Sequence, residues 1–159
     1  MKHLKIFLIT MIMAVIMMVI SSPVMAGPPE TVQGVMSWTS IVLDERVSGR
    51  NVFLKTFEDA VWTGSLSGTS TEDGIVVLYG LEDNDPASYH GIASFEGEVF
   101  GKSGTLEILI LARVDDVFSD WEGTWVILSG TGELSNLRGR GTLIGPGPID
   151  YKGMVHFEP

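Results

Sequence analysis

Between residues 32 and 157 the chain is built of short runs in which large apolar and polar side chains alternate. A period of two is the signature of strands, whose successive side chains point to opposite faces. The runs predict strands over 32–45, 52–71, 75–81, 89–100, 104–114, 123–133, 138–144 and 151–157. The second is one strand, or two broken at Gly64 or Gly68. Turn chemistry separates the runs: Ser48-Gly49, Asp73-Gly74, Asp83-Asn84-Asp85-Pro86, Gly101-Lys102-Ser103-Gly104, Asp115-Asp116 and Gly145-Pro146-Gly147-Pro148. No stretch keeps a helical period over three turns. Strands in this number and at this spacing predict an all-β fold, a small closed antiparallel β-barrel of about eight strands.

Glycine placement points the same way. All 19 glycines follow residue 26 and are dispersed through the strands. Around Trp62, Phe95 and Gly130-Thr131-Gly132 they share one alternating face with large apolar residues. Strands of that kind bend, or leave room for a bulky neighbour. In the 89–100 strand, Tyr89, Gly91, Ala93, Phe95, Gly97 and Val99 form the expected interior face, with His90, Ile92, Ser94, Glu96 and Glu98 outside. In the last strand Tyr151, Gly153, Val155 and Phe157 point one way, and Lys152, Met154 and His156 the other. The 104–114 strand is apolar on both sides: Leu106, Ile108, Ile110 and Ala112 on one, Leu109 and Leu111 on the other. Such a strand is expected to be covered on both faces, here by the barrel core and by the 114–121 segment or another subunit.

The amino-terminal residues have a different pattern. Lys2, His3 and Lys5 precede an apolar run from Ile6 to Ile20, and Val24-Met25-Ala26 follows the break at Ser21-Ser22-Pro23. This is the layout of a secretory signal peptide cleaved after Ala26. The run is shorter than the roughly 20 residues of a spanning helix, so no stable membrane span is expected after cleavage. No Cys follows the run, which excludes a lipid-anchored lipoprotein. Residues 27–31 would remain as a short tether and 32–159 as one barrel domain. The expected location is secreted, periplasmic or in the cell envelope.

Twenty acidic and ten basic side chains give a net charge of −10, and loss of Lys2 and Lys5 with the signal leaves −12. That charge disfavours nucleic acid and anionic lipid as partners. With no Cys in the chain, the fold rests on its core and its ladders.

Candidate chemistry is sparse. His90 and His156 are the only imidazoles after residue 26, and both read as outward. With no Gly-x-Ser-x-Gly present, a nucleophilic triad is not expected. Two separated His without Cys make no zinc site, and Asp83-Asn84-Asp85 and Asp115/Asp116/Asp120/Glu122 lack EF-hand spacing. No metal and no cofactor are expected. Gly130-Thr131-Gly132 lacks the Lys and the helix of a phosphate loop. What remains is the barrel interior, since eight strands enclose enough space for packed side chains or one small ligand. Trp62, Leu66, Tyr79, Tyr89, Phe95, Val99, Trp125 and Phe157 are the expected ligand-lining residues. Glu107, Tyr89 and Glu133 are the candidate catalytic groups, since a carboxylate facing inward has a raised pKa suited to acid–base work.

Several blocks carry a family resemblance: the segment from Trp62-Thr63-Gly64 to Thr69-Ser70, Tyr89-His90-Gly91 with Phe95-Glu96-Gly97, Gly101-Lys102-Ser103-Gly104-Thr105, and Ser129-Gly130-Thr131-Gly132-Glu133-Leu134 with Leu137-Arg138-Gly139. Over roughly residues 57–157 the chain resembles the domain-of-unknown-function 3224 family. The resemblance implies an allene-oxide-cyclase-like or lipocalin-like barrel, and a homo-dimer or trimer. The family has no established activity, so it implies no catalytic residue.

Three functions fit this reading. The first is a secreted barrel that binds a small apolar ligand. The second is a cofactor-free cyclase or isomerase acting on an apolar substrate inside the barrel. The third is a structural or protein-interaction module using Leu109 and Leu111.

Overall fold

The period-two runs fold into eight strands in the computed structural model, which describes residues 27–80, 85–115 and 120–159. They are β1 (Glu30–Ser48), β2 (Asn51–Gly64), β3 (Leu66–Leu78), β4 (Ala87–Val99), β5 (Lys102–Val114), β6 (Trp121–Gly130), β7 (Leu137–Gly145) and β8 (Ile149–Phe157). Each pairs antiparallel with the next, and β8 closes onto β1, giving a closed barrel in simple sequential order. A single 3-10 turn, Gly132–Leu134, sits between β6 and β7. The predicted signal peptide, Leu81, Asp83-Asn84 and residues 116–119 of the 114–121 segment lie outside the described residues.

The turns explain the register. At Phe100-Gly101 both residues have positive φ, +53° and +74°, between the register partners Val99 and Lys102. Two such residues form the turn whose twist matches the strands it joins. The long second run breaks at Gly64, where φ is +102°.

Two expectations are corrected. Asp73-Gly74 is not a turn but the middle of β3, so the predicted strands 52–71 and 75–81 regroup as β2 and β3. Gly74 faces Gly91 across the β3–β4 ladder. A Cβ on Gly74 would lie 2.5 Å from Tyr89 Cε2, so this glycine makes room for a ring rather than turning the chain. The strand predicted over 123–133 stops at Gly130, and Glu133 belongs to the 3-10 turn.

The two ends of the barrel differ. The end that holds the β2–β3, β4–β5 and β6–β7 connections is packed solid. Trp62 packs at a 56° tilt against Tyr151, 5.3 Å between ring centres, and edge-on against Phe95 at 6.2 Å. The Tyr151 hydroxyl accepts the Leu66 N–H at 2.8 Å and donates to the Thr63 carbonyl at 3.0 Å, pinning that connection to β8. At the opposite end the core gives way to a cavity. There β1 outlasts its partner: β8 pairs with it only as far as Met36, and from Ser37 to Ser48 its one strand partner among the described residues is β2.

The doubly apolar β5 buries Leu106, Ile108 and Ile110 inside. On its outer face Leu109 is half-buried, and Leu111 is exposed among the described residues.

Candidate functional site

One row of register partners crosses the open end of the barrel: Ser40 on β1, Glu58 on β2, Glu72 on β3 and Ala93 on β4. The alternation that buries Ala60 and Trp62 also turns Glu58 and Thr56 inward, and the alternation that buries Leu66 and Ser70 turns Glu72 inward. Two carboxylates are therefore direct cross-strand neighbours on an inner face, an arrangement of like charges that costs stability. Glu58 is 7 % exposed and Glu72 only 1 %.

Hydroxyls compensate for the lost water. Trp62 Nε1 donates to Ser70 Oγ at 2.9 Å, and Ser70 Oγ donates to Glu72 Oε1 at 3.1 Å. The Tyr89 hydroxyl donates to Glu72 Oε2 at 3.1 Å. Ser40 and Thr56 both donate to Glu58 Oε1, each at 3.3 Å. Tyr89 reaches this position because Gly74 and Gly91 leave the space its ring fills.

The electrostatics follow from burial. Desolvation, and then the Glu58 charge beside it, push Glu72 up to about 7, against the lowering effect of the Ser70 and Tyr89 hydroxyls. Desolvation also raises Glu58, with Ser40, Thr56 and Tyr89 opposing. Tyr89 is held far above the usual phenol range, by burial first and then by the two carboxylates. It therefore acts as a neutral donor.

Ser40, Glu58, Glu72 and Tyr89 line one side of a cavity of about 240 Å³. The other walls are Met36 and Trp38 from β1, Val76 from β3, Ile110 and Ala112 from β5, Trp121, Leu143 and Ile149. The cavity is thus mainly apolar, with one hydrogen-bonded acidic edge. Among its described lining residues there is no Lys, Arg or His.

Of the eight expected lining residues, Tyr89 lines this cavity. Trp62, Leu66, Phe95, Val99 and Trp125 are buried in the packed core instead. Trp125 presses on Gly141 and Gly153, and its Nε1 has no partner among the described residues. Tyr79 is exposed and its hydroxyl pairs with Ser88. Phe157 is half-buried under the Lys102 ammonium, 4.9 Å from its ring centre. Of the candidate acids, Glu107 lies on the exposed outer face, hydrogen-bonded by Ser94 at 3.0 Å. Glu133 is also exposed, and it accepts the Ser103 N–H. Neither faces inward, because Glu107 alternates with the buried Leu106 and Ile108, and Glu133 sits on a turn.

The buried carboxylate pair of the candidate site that sequence reading misses is Glu58 and Glu72. A signal existed: stepping back by twos from Trp62, and forward by twos from Leu66, reaches both. Reading Asp73-Gly74 as a turn hid it.

A closed eight-stranded antiparallel barrel with a half-open apolar cavity defines the class. Residues 34–151 match the family described as "Protein of unknown function (DUF3224)", and the chain belongs to that family. A solved structure of a DUF3224 protein of unknown function from Shewanella oneidensis MR-1 has the same fold, with a TM-score of 0.69. It is 18 % identical over 83 % of this chain and 99 % of its own. The Diels Alderase AbmU from Streptomyces koyangensis aligns at a TM-score of 0.42, with 12 % identity over 83 % of this chain and 69 % of its own. No curated protein matches the sequence.

Proposed function

We propose that this barrel binds a compact, largely apolar small molecule in the cavity at its open end, with the ligand's polar end against Glu58, Glu72 and Tyr89. The observation that carries this reading is the cavity itself. It has about 240 Å³ of space, apolar walls and one cluster of converging polar groups, the general design of small-molecule sites. Residues 1–26 are read as an export signal, so the protein would meet its ligand outside the cytoplasm.

The test is to fill the space. Ala112 lines the cavity from β5, and Ala112→Phe puts a ring there without adding a polar group. Saturable one-to-one binding of small apolar compounds, followed by quenching of Trp fluorescence, should be lost in Ala112→Phe. Binding that survives the ring counts against the cavity.

A second reading rests on Glu72. A carboxyl pushed up to about 7 is matched to general acid–base work near neutral pH. A cofactor-free isomerase or cyclase would use it to move a proton on the bound substrate. Glu72→Gln would then abolish turnover and spare binding.

A further inference from the structure

We infer that the polar end of the ligand is cationic: the cavity takes a small apolar molecule bearing an ammonium group. This rests on the reading of the cavity as a small-molecule site and names the class of ligand it selects.

Glu58 and Glu72 are direct partners on β2 and β3, facing the same cavity. Two carboxylates side by side in a poorly hydrated wall repel each other. In folded proteins such groups are usually paired with a positive side chain. Among the described residues that line the cavity, none supplies it. β1 contributes Trp38 and Ser40 to the cavity, β4 Tyr89, β5 Ile110 and Ala112, and β6 Trp121. His90, next to Tyr89 in sequence, is exposed on the outer face. Among the described residues, the titratable groups around the space are Glu58, Glu72 and Tyr89, and every one of them is an acid.

A ligand cation completes this set. Its positive charge would offset one of the two negative ones, whereas an anion would aggravate the repulsion and a neutral group would leave it as it is. Trp38 and Trp121 in the same lining suit a cation for a second reason, because indole faces attract ammonium groups. Ser40, Thr56, Ser70 and Tyr89 already orient the acceptor oxygens, so little reorganisation accompanies binding.

The binding reaction has a proton balance. Below neutral pH Glu72 carries a proton in the empty protein. An ammonium beside it favours the ionised form, so the proton leaves to solvent as the cation enters.

The experiment is isothermal titration calorimetry of the purified protein with benzylammonium and with its neutral near-isostere benzyl alcohol. It is run in two buffers of different ionisation heat. Benzylammonium is expected to bind about tenfold tighter or more, as a charge-assisted contact would give. At about pH 6 it should release roughly one proton per site, falling toward none at about pH 8.5. Glu72→Gln, and independently Glu58→Gln, should lose the preference for the cation, read as the ratio of the two probes' affinities within each variant. Equal affinities for the two probes overturn the inference and leave the cavity standing as a site. So does a preference for benzylammonium that persists in both variants, because it then arises elsewhere on the acidic surface. If neither probe binds, both the inference and the reading of the cavity fall.

Discussion

Glu72 illustrates how much a single inward carboxylate depends on its neighbours. Ser70 and Tyr89 each give it one hydrogen bond, and Glu58 stands opposite. In Tyr89→Phe, Oε2 loses its donor while the ring still fills the slot between Gly74 and Gly91. The pKa of Glu72 should therefore rise further above about 7, read by carbon NMR titration of its carboxyl. At alkaline pH, where Glu72 is ionised, the variant should lose about 1–3 kcal/mol in denaturant unfolding. At acid pH the loss should shrink, since a protonated carboxyl needs the donor less. An unchanged titration would mean that the hydroxyl does not hold the carboxylate.

At the scale of the element, β3 carries the main lesson. The barrel class and the interior face of β4 were legible because alternation survives there without interruption. Tyr89, Ala93, Phe95 and Val99 are all buried, as their shared parity implies. The site was less legible for two physical reasons. Asp-Gly is strong turn chemistry locally, yet in β3 the glycine yields space to an aromatic ring from the next strand, a long-range demand that local propensity does not see. Parity also sorts side chains between inside and outside but does not say how far along the barrel the packing stops. Trp62, Phe95 and Trp125 fall in the solid part, whereas Trp38, Trp121, Glu58 and Glu72 fall in the open part. Gly74→Ala tests the reading of β3 directly. The added methyl meets the Tyr89 ring at 2.5 Å, which should cost about 1–3 kcal/mol of stability. A turn glycine with φ outside the left-handed region, by contrast, would accept alanine. A thermal melt distinguishes the two.

On the scale of the whole molecule, the buried acid pair sets a pH dependence. Glu72 is raised from 4.5 to about 7, so between those values the folded state binds a proton that the unfolded chain has released. Stability must then fall as pH rises. The contribution is fully present below about 4.5 and is lost as pH climbs through about 7, a change of about 3 kcal/mol. Glu58 is raised in the same direction and adds to the trend. Glu72→Gln should flatten the profile and leave the barrel more stable than wild type at about pH 8, by about 1–3 kcal/mol. A profile that rises across this window would contradict the buried pair. The carboxylates that weaken the empty barrel at neutral pH are those a bound ligand would engage, and a ligand that binds only the folded state restores stability by mass action.

The ligand cavity proposed at the open end of the barrel is put to the test by native mass spectrometry of wild type and Ala112→Phe, side by side, against a panel of small apolar compounds. Saturable one-to-one complexes are expected with wild type and none with the filled cavity. Complexes that form equally with both proteins, or no complex with wild type at any compound of the panel, would contradict it.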